Sequence, residues 1–418
     1  MTASPAQRSR RELVAWRNAV FAVFFLSGLS LASWVARIPA VRDDTHLTLD
    51  AIGIVIFGMS VGSIVGLVVA PWILARFGAR RGMVIALYVV CVGLVVIGLG
   101  STVFALPVML FLGMALFGFG NGSVDVMMNV EGALAERANG KTLMPLMHAF
   151  FSFGTLGGAG LGALASWAGI PVVWHFVAIA VIIAIAIVVS VRYVPVDAEA
   201  EDDAPAAPKV PWRERLRENL SAWGDVRLLF IGVIMLGMSF AEGGANDWIT
   251  LAVVDGHGGA NTFGAVVFGV FTAAMTASRV LGGPVLDRFG RVPVLRACAA
   301  IGVVGLLLFI FGTAPWMYIL GTVLWALGCS LGFPVGMSAA ADDPKRAAAR
   351  VSAVAIIGYC AFLVGPPLLG FVGQHYGILN ALLVILGLMV LAGLAAPAAR
   401  EQSGRLAKPA KPAKPAKV

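Results

Sequence analysis

Long runs of apolar residues, separated by short polar segments, constrain this chain more than any other feature. A helix that crosses a hydrocarbon layer of about 30 Å needs about 20 residues, and its backbone must satisfy itself internally. Twelve such spans are predicted: 18–40, 51–74, 82–99, 104–130, 143–167, 172–193, 228–253, 263–285, 292–312, 316–337, 351–372 and 379–394. Hydrophobic residues form 59% of the chain and charged residues 12%, against roughly 45–50% and 25% in soluble domains. That excess suits a chain largely dissolved in lipid, so the expected fold class is an all-α membrane protein. The first run is long enough to span and no small-residue cleavage pattern follows it, so no cleavable signal peptide is expected.

The basic residues set the orientation. With the N-terminus in the cytoplasm, all of the 30 Lys and Arg except Arg37, Arg42 and Arg279 fall on the cytoplasmic side. That is the positive-inside pattern. It accounts for the net charge of +8 and leaves no case for nucleic-acid binding. Both termini are then cytoplasmic. Trp167, Trp174, Trp248 and Trp316 near outer span ends, with Trp72 and Trp223 near inner ones, read as an aromatic belt. The predicted organisation is an N-terminal arm (1–17), a six-helix bundle (18–194), a linker with an interfacial helix (195–223), a second bundle (224–397) and a disordered basic tail (398–418).

Polar groups in lipid are costly, a central Asp or Lys about 2.5–3.5 kcal/mol, so they mark interior faces. The first span carries Ser27, Ser30, Trp34 and Arg37 near one helical face. The fourth carries Asn121, Asp125 and Asn129 four residues apart, and the seventh Ser239, Glu242 and Asn246, with Asp247 beside them. The tenth carries a weaker set, Thr322, Trp325 and Cys329. Gly243-Gly244 after Glu242 can loosen that helix, and interrupted helices are where transporter sites form. Glu242 is a candidate proton or amine carrier, the alternative being a carboxylate paired to another helix for assembly. Asp125, His148 and Asp247 are further candidates, with solvation or packing as the alternatives. Glu131, Glu136 and Arg137 read as interfacial charges. The four cysteines lie in apolar runs without ligand spacing and read as buried hydrophobes, and the Gly-rich faces at 154–162 and 365–373 as packing surfaces.

Between the eighth and ninth spans stands Gly283-Pro-Val-Leu-Asp287-Arg288-Phe-Gly290-Arg291, and a weaker copy stands at 71–80, where Arg76-Phe77-Gly78 aligns with Arg288-Phe289-Gly290. The first resembles the loop signature of the major facilitator superfamily. The resemblance implies twelve helices in two parallel, pseudo-symmetric six-helix bundles, with helices 1, 4, 7 and 10 lining a central cavity. It implies that Asp287 helps lock the loop against the eleventh helix, with Gly290 at the tight turn and Arg288 and Arg291 as basic partners. Ala75 and Pro71 replace the Asp and the first Gly in the weaker copy, so an asymmetric gate is expected. Trp34-Val-Ala-Arg37-Ile-Pro39, Asn129-Val-Glu-Gly-Ala133 with Met147-His148-Ala-Phe150, and Glu242-Gly-Gly-Ala-Asn246-Asp247-Trp248 resemble the MosC/YbjJ-like branch, which is similar to fucose permease. That branch hints at sugar, polyol or amino-polyol substrates.

These readings converge on a secondary transporter in a bacterial inner membrane, monomeric and proton-coupled, moving a small polar solute without a cofactor or metal. Trp34 and Trp325 would stack on the solute, Ser30, Arg37, Asn121, Asn129 and Asn246 would bind its polar groups, and Glu242 or Asp125 would take a proton or amine. A proton-driven efflux pump and a membrane sensor are the rivals. No enzyme is expected, since the five histidines form no catalytic motif and no phosphate-binding Gly-rich loop with Lys is present.

Overall fold

The computed structural model describes residues 9–140, 143–195, 224–343 and 347–401. The interfacial helix expected before 224, most of the linker and the repetitive basic tail lie outside the described residues. The described chain is helical: α1 (Arg10–Val35), α2 (Ile38–Thr45), α3 (Leu49–Gly98), α4 (Pro107–Asn139), α5 (Met144–Trp167), α6 (Val172–Ser190), α7 (Val226–Leu251), α8 (Asn261–Phe289), α9 (Arg291–Phe311), α10 (Pro315–Cys329), α11 (Gly332–Ala340), α12 (Ala347–Tyr376) and α13 (Ile378–Ala395). Eleven helical stretches among the described residues are long and apolar enough to cross a membrane, and the one from Leu49 to Val103, at 55 residues, is long enough to cross twice. The apolar runs therefore give the twelve crossings expected of them.

The two signature segments differ from expectation in one respect. They are not loops but helix, broken at a single residue. α3 turns at Gly78 (φ 73°, ψ 162°) and the α8–α9 boundary at Gly290 (φ 77°, ψ 168°). A side chain is strained at positive φ, whereas Gly adopts it freely. In both copies the Arg before the turn lies over the ring of the next residue, Arg76 on Phe77 at 5.6 Å and Arg288 on Phe289 at 5.3 Å. The local repeat read from sequence is thus a repeat of conformation.

Within the N-terminal half, α1 packs on α5 and α6, and α3 on α4; within the other, α7 packs on α12 and α13, and α9 on α10. The halves meet where α5 lies along α8 and α3 along α12. The α3–α4 contact is backbone to backbone: a Cβ on Gly118 would stand 2.0 Å from the Met59 carbonyl oxygen, and one on Gly62 2.0 Å from that of Ala115. Association in lipid relies on such close approach. Gly118→Val is expected to push the two helices apart and destabilise the fold by about 1–3 kcal/mol, read as a lower melting temperature of the detergent-solubilised protein. An unchanged melting temperature would show that the contact carries little.

Two charges read as interfacial have structural roles, and one of them, Glu131, is buried instead of lying at the surface. Glu131 is fully buried and accepts the Trp16 indole N–H at 2.6 Å. Glu136 accepts the backbone N–H groups of Leu143 and Met144 at 2.6 and 2.7 Å, at the start of α5, where a helix favours negative charge. Trp248, expected in the aromatic belt, is fully buried, while Trp72, Trp167, Trp174 and Trp316 are exposed as a belt requires. Cys91, Cys298 and Cys329 are buried, but Cys360 is exposed.

Candidate functional site: a polar cleft between the halves

The first helix of each half begins on one side of the bundle, here the terminal face; the α1–α3 and α7–α8 connections lie on the other, the far face. Hydrogen bonds between the halves gather toward the far face. Arg42 after α1 pairs with Asp255 after α7, and Asn261 donates to Asp43 at 3.0 Å. The Leu49 amide donates to Gln374 Oε1 at 2.9 Å. One further link lies deeper. Pro366 has no N–H to offer the carbonyl four residues earlier, and that carbonyl, Phe362 O, accepts the Ser60 hydroxyl of α3 at 2.7 Å. Gly53 of α3 lies against the Pro366 carbonyl itself. On the terminal face, Phe77, Phe289, Asp287 and Arg288 are exposed. Among the described residues these hydrogen bonds close the cleft at the far face, and none joins the two halves at the terminal face.

The N-terminal wall of the cleft is built from α1, α4 and α5. Ser27 and Ser30 are buried and both donate to Asn121 Oδ1, at 3.3 and 3.4 Å, while Asn121 Nδ2 donates to Phe117 O at 3.0 Å. Asn129 Nδ2 donates to Asp125 O at 2.8 Å and to Asp125 Oδ1 at 3.2 Å. The polar row of α4 is thus held in two parts, Asn121 by the α1 serines and Asn129 by Asp125, whose carboxylate is exposed. No cation pairs with Asp125 among the described residues. The His148 partnership considered for it does not form: His148 meets Phe24 edge-on at 5.2 Å and lies within the field of Arg279. Tyr359 of α12 is the group across the cleft that lies in the field of Asp125.

The other wall centres on an ion pair. Arg279 Nη2 of α8 stands 2.7 Å from Glu242 Oε2 of α7, with side-chain exposures of 40% and 19%. Its Nε donates to Ser330 O at 3.3 Å, and the hydroxyls of Ser278 and Ser330 are 2.6 Å apart. Ser330 lies in the gap between α10 and α11, so the tenth span is the interrupted one. The break expected at Gly243-Gly244 is absent; α7 runs through it, with the two glycines against Phe362 and Ile385. The sequence signal for the true break is Gly328, Gly332 and Pro334 within one apolar run. Arg279, Ser278, Ser330 and Tyr359 are residues that sequence reasoning did not place in the site.

Asn246, one turn beyond Glu242, is half-buried. Asp247 is 6% exposed and makes no hydrogen bond or ion pair among the described residues. Four residues expected to touch solute lie in the packing, the first being Ser30, which is fully buried against Ser27 and Asn121. Trp34 is fully buried. Trp325 is wedged between Phe271 and Phe309 and donates to Ala241 O at 3.1 Å. Arg37 is buried and donates to Ile170 O at 2.7 Å, tying the end of α1 to the α5–α6 turn.

The signature basic residues on the terminal face also find other partners. Arg291 grips both oxygens of Asp342, at 2.8 and 2.9 Å, and Ser338, and so does not serve Asp287. Arg227 joins Asp342 at 3.3 Å. Next to them Arg350 pairs with Asp225, the N-cap of α7. Burial alone would push the Asp225 carboxyl up, but the Arg350 hydrogen bond and the Leu228 amide outweigh it and hold it below the usual range. Gly283 has open space around it.

Known proteins share this sequence pattern and architecture. The family profile described as Major Facilitator Superfamily matches residues 20–281 and 249–418. The chain is 29% identical over 371 residues to the uncharacterized transporter y4wD of Sinorhizobium fredii, covering 87% of this chain and 93% of that one. It is 26% identical over 385 residues to the membrane protein MosC of Rhizobium meliloti, covering 91% and 89%. Among solved structures, the nucleoside transporter NupG superimposes with a TM-score of 0.71 at 15% identity, covering 93% of this chain and 98% of that one. FucP in its outward conformation gives 0.62 at 14%, covering 94% and 100%. With the fold, the interrupted tenth span and the paired glycine turns already in view, these matches place the chain in the Major Facilitator Superfamily, a family of membrane transporters and not of enzymes.

Proposed function

We propose that this protein is a proton-coupled secondary transporter that moves a small polar solute across a bacterial inner membrane by alternating access, its termini in the cytoplasm. The terminal face is then the cytoplasmic one, and the state described is inward-open. One observation carries the reading: a cleft between the two halves holds an unpaired carboxylate, Asp125, opposite an ion pair, Glu242–Arg279. Charges of this kind are expensive within a bilayer unless they serve a pathway. Amides and hydroxyls surround them, Asn129 and Asn246 with Ser278 and Ser330, a set suited to a solute rich in hydroxyl groups. Asp125 suits an amine on such a solute. NupG and FucP agree with a polar cargo in kind; sugar and nucleoside carriers are among the structural neighbours, NupG as a nucleoside transporter, FucP as a fucose:proton symporter and another as a D-xylose–proton symporter.

The deciding experiment is flux. Purified protein is first screened by thermal shift against sugars, inositols, nucleosides and amines. Hits are then tested in proteoliposomes with and without an imposed pH gradient. Gradient-driven accumulation of one polar class is expected. A ligand that stabilises the protein but never crosses the bilayer would make it a sensor, and extrusion of amphipathic compounds alone would make it an efflux pump.

A further inference from the structure

Between the membrane-facing surfaces of α9 and α13 runs a groove of about 420 Å³. Its floor is made of small residues, Ala299, Ala300 and Gly393, and its walls of Val303, Val390 and Leu394. Both helices belong to strongly apolar spans. At one end of this apolar slot lies a guanidinium, Arg296. Arg296 is exposed and has no hydrogen bond, ion pair or ring partner among the described residues. That sets it apart from its neighbours Arg291, Arg227 and Arg350, each committed to a carboxylate.

Position decides what would meet this arginine. Arg291 holds Asp342 at the terminal face, and Arg296 follows five residues later, about 7.5 Å deeper along the helix. With the terminal face at the membrane surface, as proposed above, that is within reach of lipid headgroups. Val303 and Val390 lie a further turn or two into the hydrocarbon. A cation at headgroup depth above an apolar slot matches one class of molecule, with its anion and its chains joined.

We propose that the α9–α13 groove is a binding site for an anionic phospholipid, with Arg296 on the phosphate and an acyl chain along Ala300, Gly393 and Val303. The planar guanidinium can meet two phosphate oxygens at once. Basic pockets between helices at a cytoplasmic membrane surface recognise anionic headgroups in this way. The assignment to the cytoplasmic leaflet rests on the orientation proposed above; the site itself does not depend on transport.

The test uses the full chain purified in mild detergent, with phosphatidylglycerol titrated in and bound lipid counted by native mass spectrometry. Phosphatidylcholine and inorganic phosphate are run in parallel. Retained phosphatidylglycerol is expected, weakened about fivefold by Arg296→Gln, which corresponds to about 1 kcal/mol for one basic residue near anionic lipid. Ala300→Trp, which fills the groove and leaves the charge, is expected to weaken retention as well. Arg192→Gln, an exposed arginine at the end of the sixth span, is the control expected to change nothing. Equal retention by wild type and Arg296→Gln, or equal retention of phosphatidylcholine, would overturn the site. Displacement of the lipid by inorganic phosphate at equal concentration would reduce it to a free-anion site and overturn the phospholipid assignment. Since the readout is binding, its failure leaves the transport reading standing, and loss of flux leaves the groove standing.

Discussion

Glu242→Gln is expected to give a folded protein that exchanges its solute but no longer concentrates it when a pH gradient is imposed. Accumulation should fall at least about tenfold, equivalent to about 1.4 kcal/mol. The reason is the clamp on Arg279. A carboxylate 2.7 Å from the guanidinium holds it against α7; a protonated one releases it toward Ser330 and the break in the tenth span. Gln keeps the shape but cannot alternate between the two charges, so the link between proton and helix movement is cut. Asp247→Asn is the discriminating partner, because Asp247 is the more buried carboxyl and has no side chain to hold. If concentration survives in Glu242→Gln and is lost in Asp247→Asn, the proton site lies five residues further along α7. If both variants concentrate solute as wild type does, the α7 carboxyls have no part in coupling.

Reversing Arg42 to Asp is expected to open the far face. Arg42 and Asp255 join the two halves there, with side-chain exposures of 22% and 19%. Replacing attraction by repulsion in a half-buried pair should shift the balance by about 1–3 kcal/mol, a population change of roughly 5- to 150-fold. A cysteine at Asn246 in a background lacking the exposed Cys360 reports the change. A membrane-impermeant thiol reagent added from the far side should label it faster in Arg42→Asp. Adding Asp255→Arg should restore the slow rate, because the pair re-forms with its signs exchanged. Unchanged labelling in the single variant would mean that the Ser60–Phe362 and Gly53–Pro366 contacts hold the far face without the ion pair. Labelling that stays fast in the swapped pair would show that Arg42 acts through its other neighbour, Asp43.

The parts of the site that were legible in the sequence are those fixed within a single helix. Asn121, Asp125 and Asn129 share a face because four residues make nearly one turn, and the structure joins Asn129 to Asp125 on that account. Gly78 and Gly290 could be matched by their neighbours alone, since the turn needs only one residue without a Cβ. The Glu242–Arg279 pair was not legible in this way. Its members lie 37 residues apart on different helices, and sequence offered Arg279 only as an odd cation inside a span. Trp34, Trp325 and Arg37 were misjudged for a related reason. A polar or aromatic residue on an interior face can point into the cleft or into a neighbouring helix, and the choice depends on the tilt and rotation of both.

The sequence by itself determined that this chain is dissolved in lipid, how many times it crosses and which short segment repeats, because hydrophobic length and local backbone geometry are properties of neighbouring residues. Tertiary structure alone decided which charges find partners, where the tenth span breaks open and which face of the cleft is shut, because those depend on helices brought together from distant parts of the chain, where an ångström of separation decides between an ion pair and a bare charge.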